Sequence, residues 1–246
     1  MTLIYANFQN ELEKIFAKKK YFVLLIIQAL ICVMGVLLSV IVSKLTGARL
    51  NISDLALGSL TLFVEIIIPL IIFMAATDLF CAEAENKTIK TVLLCPINRF
   101  KIYISKISAI TALAGINLMC VFTVSAILGV FTGNSFSALL SGFFACVINI
   151  FPMIILVLMA CLINQFTNGS AMAMFLCIII YVMLRLFNYF VPFIDVFLFT
   201  GYLQWHKLFL GNTLPFGALF SKILLLVSYG MIFLSSGYYL FAKKDL

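Results

Sequence analysis

The amino-acid sequence predicts an all-α integral membrane protein, and three observations carry that prediction. Apolar residues make up 65% of the 246-residue chain against 10% charged ones, too little polar surface to cover a soluble globule, and the mean hydropathy is +1.22. The apolar residues gather into six runs, each at least as long as the about 17 residues needed to cross roughly 30 Å of hydrocarbon at 1.5 Å per residue. No run alternates apolar and polar residues with period two, so the spans read as helices, which satisfy their own amides in lipid, rather than as barrel strands.

Before the first run, Ile4, Phe8, Leu12, Ile15 and Phe16 recur at helical spacing, with Asn7, Asn10, Glu11, Glu13, Lys14 and Lys18 on the other faces. Residues 1–20 thus read as an amphipathic helix lying flat in the inner headgroup region, either a simple anchor or one that also helps hold a cytosolic partner. Lys18, Lys19 and Lys20 set the start of the first span beside anionic lipid. The spans are placed at 21–43, 55–80, 103–131, 138–163, 170–188 and 218–241, with a cytosolic loop at 81–102 and an outer segment at 189–217, all in one transmembrane domain. The first span is too long for a secretion-signal core and follows a charged prelude, so it is expected to stay in the mature protein.

Basic residues give the orientation. With both termini inside, Lys14, Lys18, Lys19, Lys20, Lys87, Lys90, Arg99, Lys101, Lys106, Lys243 and Lys244 are cytoplasmic, against Lys44, Arg49, Arg185, Lys207 and Lys222 outside. That excess predicts cytoplasmic ends and a cytoplasmic 81–102 loop. The net charge of +7 is spread over separated membrane-flanking positions, not one soluble face, so nucleic acid is not expected as a partner. The seven cysteines show no CxxC spacing and read as small apolar fillers and reduced thiols. With one histidine, His206, no His-based metal site is expected.

Two intramembrane positions stand out. Glu65 lies well inside the second span, where an ionised acid costs about 2.5 to 3.5 kcal/mol and normally faces a cavity or a partner. Pro69, four residues later, deprives the Glu65 carbonyl of its helical donor, so a bend is expected there. The pair is a candidate for the path lining or a dimer interface, with a hydrogen-bonded structural Glu as the alternative. Asp78 is expected to pair with nearby basic side chains or reach headgroups, Arg185 and Lys222 to extend toward the outer surface, and Asn117, Asn149 and Asn164 to bond between helices.

The Ala82–Lys106 segment is charge-dense between two spans. Asn86 or Thr88 can cap a short helix in which Ile89, Val92 and Leu93 form an apolar stripe opposite Lys87, Lys90 and Thr91. Pro96 stops it, and Asn98 can cap the third span. The stripe suits either a groove on another protein or the membrane surface.

Glu83, Glu85, Thr88, Leu93, Leu94, Pro96, Ile97, Arg99 and Lys106 together resemble the loop after the second span of ABC-2-type transporter permeases. The amphipathic start, the six spans and the terminal FAKKDL at Phe241 to Leu246 are similar to that family too. Asn86-Lys87-Thr88 departs from it, because many members carry a Gly before the Thr. In size and plan the chain resembles small bacterial drug and peptide-antibiotic (bacitracin or lantibiotic) resistance permeases.

The resemblance implies the permease subunit of an exporter in the bacterial plasma membrane, moving a hydrophobic, drug-like or peptide substrate. It implies two copies of a separate ATPase, which hold ATP and Mg and receive a coupling helix formed by Glu83, Glu85, Thr88, Ile89, Val92, Leu93, Leu94, Pro96 and Arg99. A second permease, identical or related, completes the path. The chain carries no GxxxxGK[ST] phosphate loop, so it is not expected to bind nucleotide that way or to be an enzyme. The outer segment, broken by Pro192, Gly201, Gly211 and Pro215, places Phe193, Phe197, Tyr202 and Trp205 for an outer re-entrant cap or an aromatic interfacial belt. An ion-coupled secondary carrier is the alternative function, and an intramembrane hydrolase is disfavoured by the lack of HExxH and GxSxG.

Overall fold

The structure is a computed structural model that describes residues 2–46, 60–86, 98–131, 136–167, 169–191, 197–205 and 216–243. These form α1 (Thr2–Ala17), α2 (Lys19–Thr46), a π-turn (Phe63–Ile67) running into α3 (Ile68–Glu85), α4 (Arg99–Phe131), α5 (Phe136–Gln165), α6 (Ser170–Phe190), a 3-10 turn (Phe199–Tyr202) and α7 (Phe216–Lys243). No strand occurs among the described residues. Among the described residues six helices are long and apolar enough to cross a membrane, the number of spans predicted. The second reaches Glu85 and the third starts at Arg99, beyond their apolar stretches, because charged and polar residues continue a helix that lipid no longer requires.

The second and fourth spans form the centre of the bundle. Helix α5 packs against α3, α4 and α7, while α6 lies on α3 and both α1 and α2 lie on α4. Ile72, Phe73, Ile110, Leu113, Met153 and Leu156 fill the middle, and Ala75, Ala76, Ala109 and Ala160, all fully buried, let the backbones approach. The ends of α1, α3 and α7 and the starts of α2, α4 and α6 share one end of the bundle, referred to below as the basic end. The turn Phe199–Tyr202 packs on α5, α6 and α7 near the opposite end.

The amphipathic helix is present but turned. Asn7 and Glu11 are buried against α4, whereas Ile4, Tyr5 and Phe16 are exposed. Of the predicted apolar stripe, only Ile15 is fully buried, with Phe8 and Leu12 packed at the edge of the core. Hydropathy assigns polar residues to water, but here the bundle itself offers polar partners. Asn7 Nδ2 donates to Ser105 Oγ at 2.8 Å, and Glu11 accepts from Lys106.

Candidate functional site

The basic end is organised around four charges. Lys106 Nζ lies 2.9 Å from Glu11 Oε2 and 2.7 Å from Glu83 Oε2. Lys14 Nζ takes the remaining oxygens, Glu11 Oε1 at 2.8 Å and Glu83 Oε1 at 3.0 Å. Each carboxylate thus bridges both ammoniums in a closed, neutral ring that joins α1, α3 and α4. The Lys106 and Glu11 side chains are fully buried, where charges persist only when paired in this way. Burial alone would lower the Lys14 pKa, but Glu11 and Glu83 outweigh it and raise it above the ordinary lysine value.

Beside the ring, Asp78 Oδ2 accepts from Lys20 at 2.5 Å, Tyr21 at 2.6 Å and Lys18 at 3.2 Å, the basic partners expected for it. These contacts pin the bend between α1 and α2 to α3. Glu85 Oε1 accepts the Ser170 amide at 2.9 Å, satisfying a free N–H in the first turn of α6. Asn98 Oδ1 accepts the Phe100 amide at 3.1 Å, the cap expected for the third span. Arg99 Nη1 donates to the Ala242 carbonyl at 2.7 Å, occupying a free acceptor at the end of α7.

Of the residues expected in the coupling loop, Glu83, Glu85 and Arg99 stand at its two stems, each bonded within this chain. Thr88, Ile89, Val92, Leu93, Leu94 and Pro96 lie outside the described residues. Lys106, counted above among the cytoplasmic basic residues, is fully buried. Glu11, Lys14 and Lys106 are the members of the ring that sequence reasoning did not single out together. The available signal was a lysine inside an apolar run with an acid 23 positions earlier.

A second polar cluster surrounds Glu65 in the π-turn. Its Oε1 is held by Arg185 Nη2 and Gln204 Nε2. The Glu65 carbonyl, which Pro69 cannot serve, accepts the Tyr181 hydroxyl at 2.5 Å. Arg185 Nη1 donates to the Thr200 carbonyl at 3.3 Å, and Asn188 Nδ2 donates to Thr200 Oγ1 at 2.8 Å. Arg185 is therefore not extended to the surface as expected, because the intramembrane acid offers a stronger partner. The expected bend at Pro69 takes the form of a π-turn, Ile68 N–H returning to the Phe63 carbonyl.

The aromatic segment is also placed differently from an interfacial belt. Tyr202 and Trp205 are buried, stacked edge to face at 5.9 Å, with Trp205 tilted against Phe151. Phe197 is exposed, and Phe193 lies outside the described residues. Contacts to α5, α6 and α7 draw the segment inward.

No curated protein matches the chain. The family model described as ABC-2 family transporter protein matches residues 8–185, a stretch that holds the four-charge ring, both stems of the loop, Glu65 and Arg185. The chain therefore belongs to the ABC-2 family of transporter proteins, as a multi-pass membrane subunit of the kind that works with an ATP-binding cassette ATPase.

Proposed function

We propose that this chain is the permease subunit of an ATP-driven exporter in the bacterial plasma membrane, with both termini and the basic end in the cytoplasm. Two ATPase subunits, binding ATP and Mg, take the 81–102 loop as their coupling element. A second permease, identical or related, completes a path for a hydrophobic, drug-like or peptide substrate leaving the cytoplasm or the membrane, in the manner of bacitracin or lantibiotic resistance exporters. Glu65 and Pro69 line that path or the interface between permeases, and the Phe197–Trp205 segment caps its outer end.

The observation that carries this reading is the bracing of both loop stems. Glu83 at the start of the loop and Lys106 after it belong to one ion ring with α1, and Arg99 is tied to the end of α7. A displacement of the loop is passed to α1, α3, α4 and α7 together, as a coupling element requires.

The test is co-purification with the cognate ATPase, followed by ATPase rates in proteoliposomes. A stable complex is expected, with stimulation lost in Leu93→Asp and Arg99→Glu. No complex, together with unchanged rates in both variants, overturns the reading. The ion-coupled carrier draws on one observation, the intramembrane Glu65–Arg185 pair. Transport that persists without an ATPase and stops when the proton gradient collapses would favour it.

A further inference from the structure

Where α1 bends into α2, a cavity of about 580 Å³ opens against the last two turns of α3, a volume within the about 300–1,000 Å³ range of small-ligand pockets. Ile15, Ala17, Leu79 and Ala82 give it an apolar floor, and Lys14, Lys18, Asp78 and Glu83 give it an ionic rim. The charges do not cancel evenly. Lys14 and Glu83 belong to the neutral ring, each with two opposite partners. Asp78 is a single carboxylate shared by Lys18 and Lys20. Among the described residues one positive charge is left over, shared by Lys18, which lines the cavity, and Lys20, which stands just outside it, with side chains 42% and 41% exposed. An apolar floor beside a surplus positive charge, shared by Lys18 at the rim and Lys20 behind Asp78, is complementary to an amphiphile whose head bears one negative charge.

We propose that this cavity binds one glycerophospholipid with a single-phosphate anionic headgroup, such as phosphatidylglycerol. Its phosphate lies between Lys18 and Lys20, and its glycerol and upper acyl chain rest on the Ile15, Leu79 and Ala82 floor. Only the assignment to the inner leaflet rests on the transport reading above. An ethanolamine head fits less well, because its ammonium needs a free carboxylate and both Asp78 and Glu83 are taken by lysines of the chain. The lipid wedges the α1–α2 bend beside Asn86, in the first part of the 81–102 loop.

Native mass spectrometry of the full-length protein in detergent tests this, with phosphatidylglycerol, phosphatidylethanolamine or inorganic phosphate added. It uses neither nucleotide nor partner, so its failure leaves the transport reading standing. One phosphatidylglycerol is expected to be retained, with phosphatidylethanolamine held more weakly and inorganic phosphate displacing neither. Lys18→Gln with Lys20→Gln weakens retention roughly tenfold or more, as the loss of two lysine–phosphate contacts predicts. Asp78→Asn, which frees both lysines at nearly constant shape, strengthens retention, a direction that structural damage would not give. Lys101→Gln, at an exposed lysine outside the cavity, leaves it unchanged. Equal retention of the two lipids, displacement by phosphate, or weaker retention in Asp78→Asn overturns the proposal.

Discussion

The Tyr181 hydroxyl donates to the Glu65 backbone carbonyl at 2.5 Å, supplying across two spans the donor that Pro69 lacks. A buried carbonyl without a partner costs about 1–3 kcal/mol. Tyr181→Phe should therefore lower the thermal unfolding temperature of the detergent-solubilised protein, with a loss in that range. An unchanged unfolding temperature would mean that the π-turn satisfies the carbonyl by itself.

The Glu65 side chain makes a separate prediction. Arg185→Met leaves its carboxylate with Gln204 alone, and both partners of the pair are about one-quarter exposed, so a loss of about 1–3 kcal/mol is expected rather than the larger figure for a sealed pair. The double variant Glu65→Leu/Arg185→Met, with no stranded charge, should recover most of it. A double-mutant cycle on unfolding temperatures reads the coupling. Additive losses would mean that the two groups do not interact.

The ring at the basic end is more deeply buried and more sensitive. Lys106→Met puts Glu11 and Glu83 side by side without the buried ammonium that bridges them, and about 3–5 kcal/mol should be lost. Lys14 sets the alkaline limit. Its folded pKa is raised above 10.5, so its contribution is fully present below that value and declines as pH rises through the folded one. The stability gap between wild type and Lys14→Met should stay constant from neutrality to about pH 10 and narrow above it. A gap that closes between pH 7 and 9 would contradict the pairing.

The number of spans was legible because lipid enforces length and apolarity, and six such helices stand among the described residues. What the sequence hid was pairing. Glu65 and Arg185 are both visible as charges inside apolar runs, yet 120 positions of chain separate them and hydropathy carries no information about which helices touch. The same holds for Glu11 and Lys106. Read as an isolated amphipathic helix, α1 sends Glu11 to water. Only the neighbouring lysine reverses that. Tyr202 and Trp205 left two placements open for a related reason. Aromatics suit an interface and a core equally well, and burial against Phe151 is a tertiary fact.

Helix packing yields the last prediction. Gly237 in α7 faces Tyr103 of α4, and a Cβ there would collide with the Tyr103 hydroxyl while touching the Leu162 backbone of α5. That hydroxyl is buried without a hydrogen-bond partner, so it holds its position through packing alone. Gly237→Ala should force the ring aside and cost about 1–3 kcal/mol, the range for overpacked cores. Tyr103→Phe removes an unsatisfied polar atom and should be neutral or stabilising. Because it also removes the colliding atom, Gly237→Ala should do less damage in the Tyr103→Phe background, and unfolding temperatures of the four proteins should be non-additive. Equal damage in both backgrounds would show that the Leu162 backbone, and not the hydroxyl, sets how closely α7 approaches.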